Sequence, residues 1–246
     1  MIDKLIFLLM LIALIAYIVK GTMGFGEGLI VTSIFGLFLE MKLVLVIALL
    51  LSVVAGIYQF IIIKKSIDKK LVLLFIIPLI IGVIIGTYIL NLINSDIVKI
   101  VFAIFLILYS TKALLTKDSS NSKKDKKGMN KFLAVIVGLF SGILDGVIGF
   151  GGIPLIIYLD FYNYKKDDFR ATLVSLYLIL GLTRVVTYGY SGLFTSTSLI
   201  YTAYLIPVTI LGTYLGMKIY PHVNQKLFKK IVMVFLLLVG VILLIK

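Results

Sequence analysis

The 246-residue sequence contains no cysteine and one histidine, and only 14% of its residues are charged. The absence of cysteine excludes a disulfide framework and thiol chemistry. An ordinary globular protein has about a quarter of charged residues, so this chain has too few to cover a water-facing surface. Hydrophobic residues make up 61% of the chain, and the mean hydropathy is +1.19. These values exclude a soluble enzyme.

Motifs for common enzymatic chemistry are also missing from the sequence. It has no Walker A motif, no cluster of metal-ligating residues and no nucleophile elbow. The single histidine, His222, lies in a basic loop beside Pro221 and is interpreted as solvated. We therefore expect no catalytic residues, no metal and no cofactor, and we do not predict an enzyme.

Apolar segments occupy most of the chain. Runs of about 20 apolar residues can cross the ~30 Å hydrocarbon core as helices, and their lack of polar and apolar alternation argues against a transmembrane barrel. The sequence predicts an all-α polytopic membrane protein, with residues 1–246 forming a single transmembrane domain. The ten segments cover residues 5–19, 29–39, 43–63, 71–93, 97–115, 132–148, 153–162, 171–190, 198–219 and 231–245.

The two halves of the chain resemble each other. A polar, lysine-rich linker, residues 117–130, separates a first repeat, 1–116, from a second, 131–246. Glycine-rich positions and their neighbours recur in the same order with nearly constant spacing, which indicates an internal repeat. A shift of 125 residues superposes Gly21, Gly24, Phe25, Gly26, Gly56 and Gln59 on Gly146, Gly149, Phe150, Gly151, Gly181 and Arg184, and a shift of about 130 superposes Pro78, Gly82 and Gly86 approximately on Pro207, Gly212 and Gly216.

The distribution of basic residues predicts the orientation in the membrane. Eighteen of the 24 Lys and Arg residues lie in 64–70, 112–131, 165–170 and 218–230. Basic residues collect on cytoplasmic loops, so these regions, including the linker 117–130, are expected to be cytoplasmic. The two halves are then inverted and both termini lie outside. Inverted repeats are typical of secondary transporters.

Two segments, the second and the seventh, are too short to cross the membrane. Each follows a glycine cluster, KGTMGFGEG at 20–28 and DGVIGFGG at 145–152. We predict a break inside the membrane at each cluster, leading into a short half-helix whose free N–H groups suit an anion. The alternative is that these glycines only allow tight helix packing, as we expect for Gly82, Gly86, Gly212 and Gly216. The candidate anion-binding glycines are Gly24, Gly26, Gly28, Gly149, Gly151 and Gly152.

Arg184 lies in the middle of the eighth segment, where burying it costs at least ~3 kcal/mol. The chain has 22 Lys and only two Arg, and a planar guanidinium suits an oxyanion. We therefore predict Arg184 as a ligand of the anion, with Gln59 as a neutral donor. Thr183 and Thr187 could add hydroxyl donors, although such hydroxyls often bond to their own backbone. The alternative is a structural ion pair of Arg184 with Asp145 or Glu27.

Three more ionisable residues lie at the predicted breaks. Glu27 or Asp145 could exchange a proton during a transport cycle, because low dielectric disfavours a charged carboxylate. Equally, Lys20 could form a static ion pair with either of them. Lys20 could also extend its amine to the membrane surface.

The segments GFGEGLI at 24–30 and GVIGFGGIPLI at 146–156, with the Pro-then-Gly pattern late in each half, resemble the TauE/SafE sulfite exporters. The resemblance extends over essentially the whole chain. It implies two inverted repeats around a central anion path, and transport of sulfite, sulfonates or related organosulfur anions. Glu27 stands where the family often has glycine and Leu29 where the second half has proline, which points to proton coupling beside the anion site.

The leading prediction is a secondary transporter, an exporter of a small sulfur-containing anion by alternating access, in a prokaryotic cytoplasmic membrane. The predicted partners are the anionic substrate and the lipid bilayer, with no nucleic acid, and a homodimer is left open. Two alternatives also remain open. One is an anion channel using the same residues, and the other is a membrane assembly or chaperone component that transports nothing.

Overall fold

The computed structural model describes residues 2–115, 130–161, 166–220, 234 and 237–245. Among these residues, all regular secondary structure is helical. A 3₁₀ turn covers Lys64–Ser66, and residues 237–245 are helical as well. The longer elements are α1 (Ile2–Met23), α2 (Glu27–Phe35), α3 (Met41–Ile63), α4 (Lys69–Leu92), α5 (Ser95–Leu115), α6 (Lys131–Ile148), α7 (Gly152–Phe161), α8 (Lys166–Tyr190) and α9 (Ser196–Ile219).

As far as its residues are described, each predicted apolar segment overlaps a helical region. Within the described ranges, six helices are long and apolar enough to cross a membrane, namely α1, α3, α4, α6, α8 and α9. The short helices α2 and α7 have 9 and 10 residues, so they are about 15 Å long and cannot cross the hydrocarbon core. The all-α polytopic membrane fold predicted from the sequence is confirmed.

The helix ends differ from the predicted segments where polar residues continue a helix. α8 begins at Lys166, five residues before the predicted start. Asp167 and Asp168 stabilise this first turn, because negative side chains interact favourably with the positive end of the helix dipole. Apart from Asn130, the predicted linker 117–130 lies outside the described residues. His222 and the beginning of the tenth segment lie outside them too.

The chain divides into two compact units that interleave along the sequence. Unit 1 comprises residues 1–51, 93–119 and 193–246, and unit 2 comprises 52–92 and 120–192. Each unit therefore draws on both halves of the sequence. This division describes packing, whereas the predicted repeats describe equivalence in sequence, so the repeat boundaries stay a prediction.

In unit 1, glycines bring the backbones of α1 and α9 together. A Cβ atom placed on Gly21 would lie 2.7 Å from the Cα atom of Gly216, and one placed on Gly212 would lie 2.7 Å from the carbonyl oxygen of Leu14. Side chains at these positions would separate the helices. Small residues of this kind are the usual means of close helix packing in membranes.

In unit 2, glycines join α4 to α6 in the same way. A Cβ atom on Gly82 would lie 2.8 Å from the Cα atom of Gly142, and one on Gly86 would lie 2.9 Å from the Cα atom of Gly146. The packing role expected for Gly82, Gly86, Gly212 and Gly216 is therefore confirmed.

These two helix pairs are equivalent under the predicted repeat. Gly21 corresponds to Gly146 at a shift of 125 residues, and Gly86 corresponds to Gly216 at a shift of 130. The contact between Gly21 and Gly216 in unit 1 thus has its counterpart between Gly146 and Gly86 in unit 2. A helix of one half pairs with a helix of the other half in both units.

In unit 2, α3 contacts α8 through two residue pairs that are equivalent to each other at the shift of 125 residues. A Cβ atom on Gly56 would lie 2.9 Å from Leu178 Cδ2, and one on Gly181 would lie 2.8 Å from Val53 Cγ2. Gly56 corresponds to Gly181 and Val53 to Leu178 at a shift of 125. Contacts that exchange in this way are those of an isologous, two-fold arrangement, and they support the predicted internal repeat.

We predict that Gly86→Ala destabilises the protein by about 1–3 kcal/mol, because its methyl group would meet the backbone of α6. The higher helix propensity of alanine acts in the opposite direction and is smaller. Thermal unfolding in detergent, followed by far-UV circular dichroism, measures the effect. Ile84→Leu, at a position 51% exposed on the same helix, is the control. Equal stability of Gly86→Ala and the control would contradict this packing role.

Candidate anion-binding site

The second predicted break joins α6 to α7. α6 ends at Ile148, and Gly149 follows with φ +78, where its N–H donates to the carbonyl oxygen of Asp145 at 2.9 Å. A left-handed conformation after a helix is typical of glycine. α7 begins at Gly152, so two residues, Phe150 and Gly151, connect the turn to the half-helix. The break predicted from the glycine cluster is present.

Arg184 reaches this break from α8. Its side chain is 6% exposed, and Nη1 donates to the carbonyl oxygen of Asp145 at 3.0 Å. The same carbonyl accepts the N–H of Gly149. A cation at the C-terminal end of a helix is stabilised by the helix dipole. Arg184 therefore caps α6 within the apolar part of the chain.

Gly149 also lies against the guanidinium of Arg184. A Cβ atom at this position would lie 2.7 Å from Nη1 of Arg184. A side chain at residue 149 would therefore displace the guanidinium from its present position.

Tyr188, one turn after Arg184 on α8, holds the next carbonyl of α6. Its hydroxyl donates to the carbonyl oxygen of Gly146 at 2.9 Å, and its ring centroid lies 5.4 Å from Cζ of Arg184. The ring face attracts the guanidinium. Tyr188 was not predicted from the sequence, although its position four residues after Arg184 places the two on one helix face.

Asp145 lies on the same turn of α6 and is 4% exposed. Its Oδ1 atom accepts the N–H of Gly151 at 3.3 Å and lies 3.5 Å from Nη1 of Arg184. The ion pair of Arg184 with Asp145, one of the alternatives drawn from the sequence, is thus present. Within the described part of the chain, two buried atoms of this pair, Asp145 Oδ2 and Arg184 Nε, have no hydrogen-bond partner.

The start of α7 is closely covered by α6 and α8. The space beside Gly152 is taken by the hydroxyl of Tyr177, and the space beside Gly151 is taken by the backbone of Ser141 and by Asp145. α7 has no acidic residue in its first turn. The carboxylate at the start of this half-helix comes from α6, through Oδ1 of Asp145, which accepts the N–H of Gly151.

The first predicted break, in unit 1, is built differently. Gly24 and Gly26 have φ values of +87 and +98, and α2 starts at Glu27, so the predicted break is present here too. Lys20 and Glu27 form a buried ion pair. Lys20 is 3% exposed, so the alternative in which it extends to the membrane surface is wrong. Its amine is held inside by the carboxylate at the start of α2.

The remaining predicted ligands, Gln59, Thr183 and Gly28, lie on α3, α8 and α2. Gln59 is buried on α3, three residues after Gly56, as Arg184 is three residues after Gly181. Thr183 donates its hydroxyl to the carbonyl oxygen of Ile179 at 2.7 Å, within its own helix. Gly28 is the second residue of α2.

Thr187 was predicted to lie beside Arg184 as a further hydroxyl donor. It lies 2.9 Å from the hydroxyl of Thr87 on α4, hydroxyl to hydroxyl, and also donates to the carbonyl oxygen of Arg184 at 3.3 Å. These contacts link α4 to the helix that carries the arginine.

Comparison with known proteins identifies a family. No curated protein and no solved structure matches the chain. The family model described as sulfite exporter TauE/SafE matches residues 9–243, which include both breaks, the helix pairs and Arg184. That family consists of membrane transporters, which implies a small anionic substrate and a lipid environment. A match over nearly the whole length shows that this chain belongs to the TauE/SafE family of sulfite exporter-type membrane transporters.

Proposed function

We propose that the protein is a secondary transporter that exports sulfite or an organosulfonate by alternating access. The observation that carries the proposal is the buried guanidinium of Arg184 at the second break, with Nε free of a hydrogen-bond partner in the described part of the chain. Placing a charged side chain within a membrane-spanning segment costs several kcal/mol of free energy, and such side chains usually belong to functional sites.

The guanidinium has donors to spare. Nη1 is used by the carbonyl oxygen of Asp145, and the carboxylate lies farther away, at 3.5 Å. Arginine carries five N–H donors in a fixed fork, which matches an oxyanion. An anion that accepts from Nε would satisfy a donor that is otherwise buried without a partner, and this favours binding.

The half-helix α7 adds to the attraction for an anion. Its N-terminal end carries partial positive charge and has no acidic residue in its first turn. α2, its counterpart in unit 1, has Glu27 at this place, paired with Lys20. We therefore assign the main anion-binding role to Arg184 and the second break, around Gly149, Gly151 and Gly152. Gln59, Thr183, Gly24, Gly26 and Gly28 remain candidate ligands.

Asp145 acts as an internal competitor in this proposal. Its carboxylate lies beside the guanidinium, so an incoming anion must share Arg184 with it or displace it. A proton taken up by Asp145 would remove the competition, which is one route to proton coupling. Glu27 and Lys20 would stay paired through such a cycle.

Export of an anion is favoured by the electrical potential across the membrane. With a negative interior, moving one negative charge outward releases about 2.3 kcal/mol per 100 mV. The proposed orientation has both termini outside and the basic regions, including 117–130, in the cytoplasm of a prokaryotic cell. No ATP is required for this direction of flux.

We predict that Arg184→Gln abolishes sulfite binding. A ligand at 100 times its Kd stabilises the folded protein by ~2.7 kcal/mol, so wild-type protein in detergent should unfold at a higher temperature with saturating sulfite. The variant should show no such rise, while Arg184→Lys should show a smaller one, because lysine keeps the charge and loses the fork. Lys218→Gln, at an exposed position on α9, is the control. An undiminished response of Arg184→Gln would exclude Arg184 as the ligand.

We predict that Asp145→Asn lowers stability and strengthens the response to sulfite. The substitution leaves the buried guanidinium without its carboxylate, which costs about 3–5 kcal/mol when a buried pair is broken. Sulfite should restore much of this loss by taking the place of the carboxylate. The unfolding temperature is measured with and without sulfite, and Asp96→Asn at an exposed site on α5 is the control. A weaker sulfite response than in wild type would show that Asp145 does not compete with the anion.

A further inference from the structure

Both arginines of the chain lie on α8, and both are buried. Arg170 is 8% exposed and Arg184 is 5% exposed. They are 14 residues apart, which is close to four helical turns. The two positions therefore lie about 21 Å apart along the helix and roughly 40° apart around it. One face of α8 carries the chain's two guanidinium groups.

A cavity opens beside Arg170 in unit 2. Its volume is about 180 Å³, and it forms where the Lys64–Ser66 turn meets the first turns of α8. A water molecule occupies about 30 Å³ of liquid, so the cavity has room for a small oxyanion with some of its water. The residues that line it are Ile62, Ile63, Ser66, Asp167 and Arg170.

Beside the cavity, one hydrogen bond joins Asp68, the residue before α4, to α8, and a second caps the start of α4. The N–H of Asp68 donates to Oγ1 of Thr172 at 3.1 Å, and Oδ1 of Asp68 accepts the N–H of Leu71 at 3.2 Å. The bond to Thr172 ties the segment before α4 to α8. The cavity is thus a built feature of unit 2.

The lining of the cavity suits a small anion. The guanidinium of Arg170 and the hydroxyl of Ser66 supply donors, and Ile62 and Ile63 supply apolar surface that strengthens the attraction between charges. Asp167, which is exposed, adds one negative charge. Its carboxylate limits how tightly an anion is held, so rapid exchange is expected.

Lysines surround this end of unit 2. Lys64, Lys69 and Lys70 are all exposed near the same turn. Clustered charges of one sign raise the local concentration of the opposite ion at a cavity mouth. In the proposed orientation this cluster faces the cytoplasm, from which an exported anion approaches.

We infer that this cavity is a second anion-binding site, at which sulfite or a similar small oxyanion is collected before it reaches Arg184. The inference rests on the proposed function, because a staging site is useful only if the anion moves on. Arg170 is the residue that would hold the anion there. Because the two arginines lie on one face of α8, the anion would move along this face from Arg170 to Arg184.

The absence of cysteine allows a clean test of the site. Ser66→Cys places a single thiol in the cavity, and its alkylation by iodoacetate is compared with alkylation by iodoacetamide. The two reagents form the same bond to sulfur and release iodide, but only iodoacetate is an anion. Ser196→Cys, at an exposed position on α9, gives the reference ratio of the two rates.

We predict that the ratio of iodoacetate to iodoacetamide rates is about tenfold higher at Cys-substituted Ser66 than at the reference site. Adding Arg170→Gln should remove the difference, and adding Arg170→Lys should retain most of it. High salt should reduce it. A ratio that does not depend on the charge at residue 170 would overturn the inference. The inference would also be overturned if Arg170→Gln and Arg170→Lys reduced the ratio equally, because this would indicate a structural role for Arg170.

Transport then tests the link between the two sites. In oriented proteoliposomes, Arg170→Gln should raise the KM for sulfite presented at the Arg170 side about tenfold, with the maximal rate unchanged. An unchanged KM would refute the staging role while leaving the proposed function intact. The proposed function itself would be refuted by a different result, namely that Arg184→Gln leaves sulfite binding and transport unaffected. The alkylation ratio is independent of that outcome.

Discussion

The hydrogen bond from Arg184 to the carbonyl oxygen of Asp145 supports the whole second break. A helix that ends inside a membrane leaves carbonyl groups that water cannot satisfy. α8 supplies donors to two successive carbonyl oxygens of the last turn, from Arg184 to that of Asp145, which also accepts the N–H of Gly149, and from Tyr188 to that of Gly146. A side chain at residue 149 would displace the guanidinium from this position. The residue to which we assign anion binding is therefore also part of what keeps the break in shape.

The two breaks satisfy the same physical constraint with opposite charges. At equivalent positions stand Lys20 in the first half and Asp145 in the second, and each forms a buried ion pair. In unit 1 the carboxylate partner starts the half-helix itself, so its charge neutralises the positive end of α2. In unit 2 the carboxylate of Asp145 precedes the break in sequence, and its Oδ1 accepts the N–H of Gly151, just before α7. This difference between the two halves is one reason why we propose the second break as the anion site.

The sequence predicted the fold well because the membrane allows few solutions. Long apolar runs must be helices, and short ones beside glycine clusters must be broken, so the helix order and both breaks were predicted. The pairing of α1 with α9 and of α4 with α6 could not be predicted. Small residues in a sequence indicate that a helix packs closely, but they do not indicate which helix is its partner. Within the site, Arg184 and Asp145 stood out as charges in apolar segments. Tyr188, Ser66 and Arg170 did not stand out, since their roles depend on neighbours distant in sequence.

The most direct test of the central claim is a cryo-electron microscopy structure of the full-length protein in lipid nanodiscs with saturating sulfite. The account predicts density for one small oxyanion within hydrogen-bonding distance of Nε of Arg184, close to the second break. Arg184 should still contact the carbonyl oxygen of Asp145. Sulfite density at another place, with the guanidinium contacting only protein groups, would contradict the assignment of Arg184 as the anion ligand.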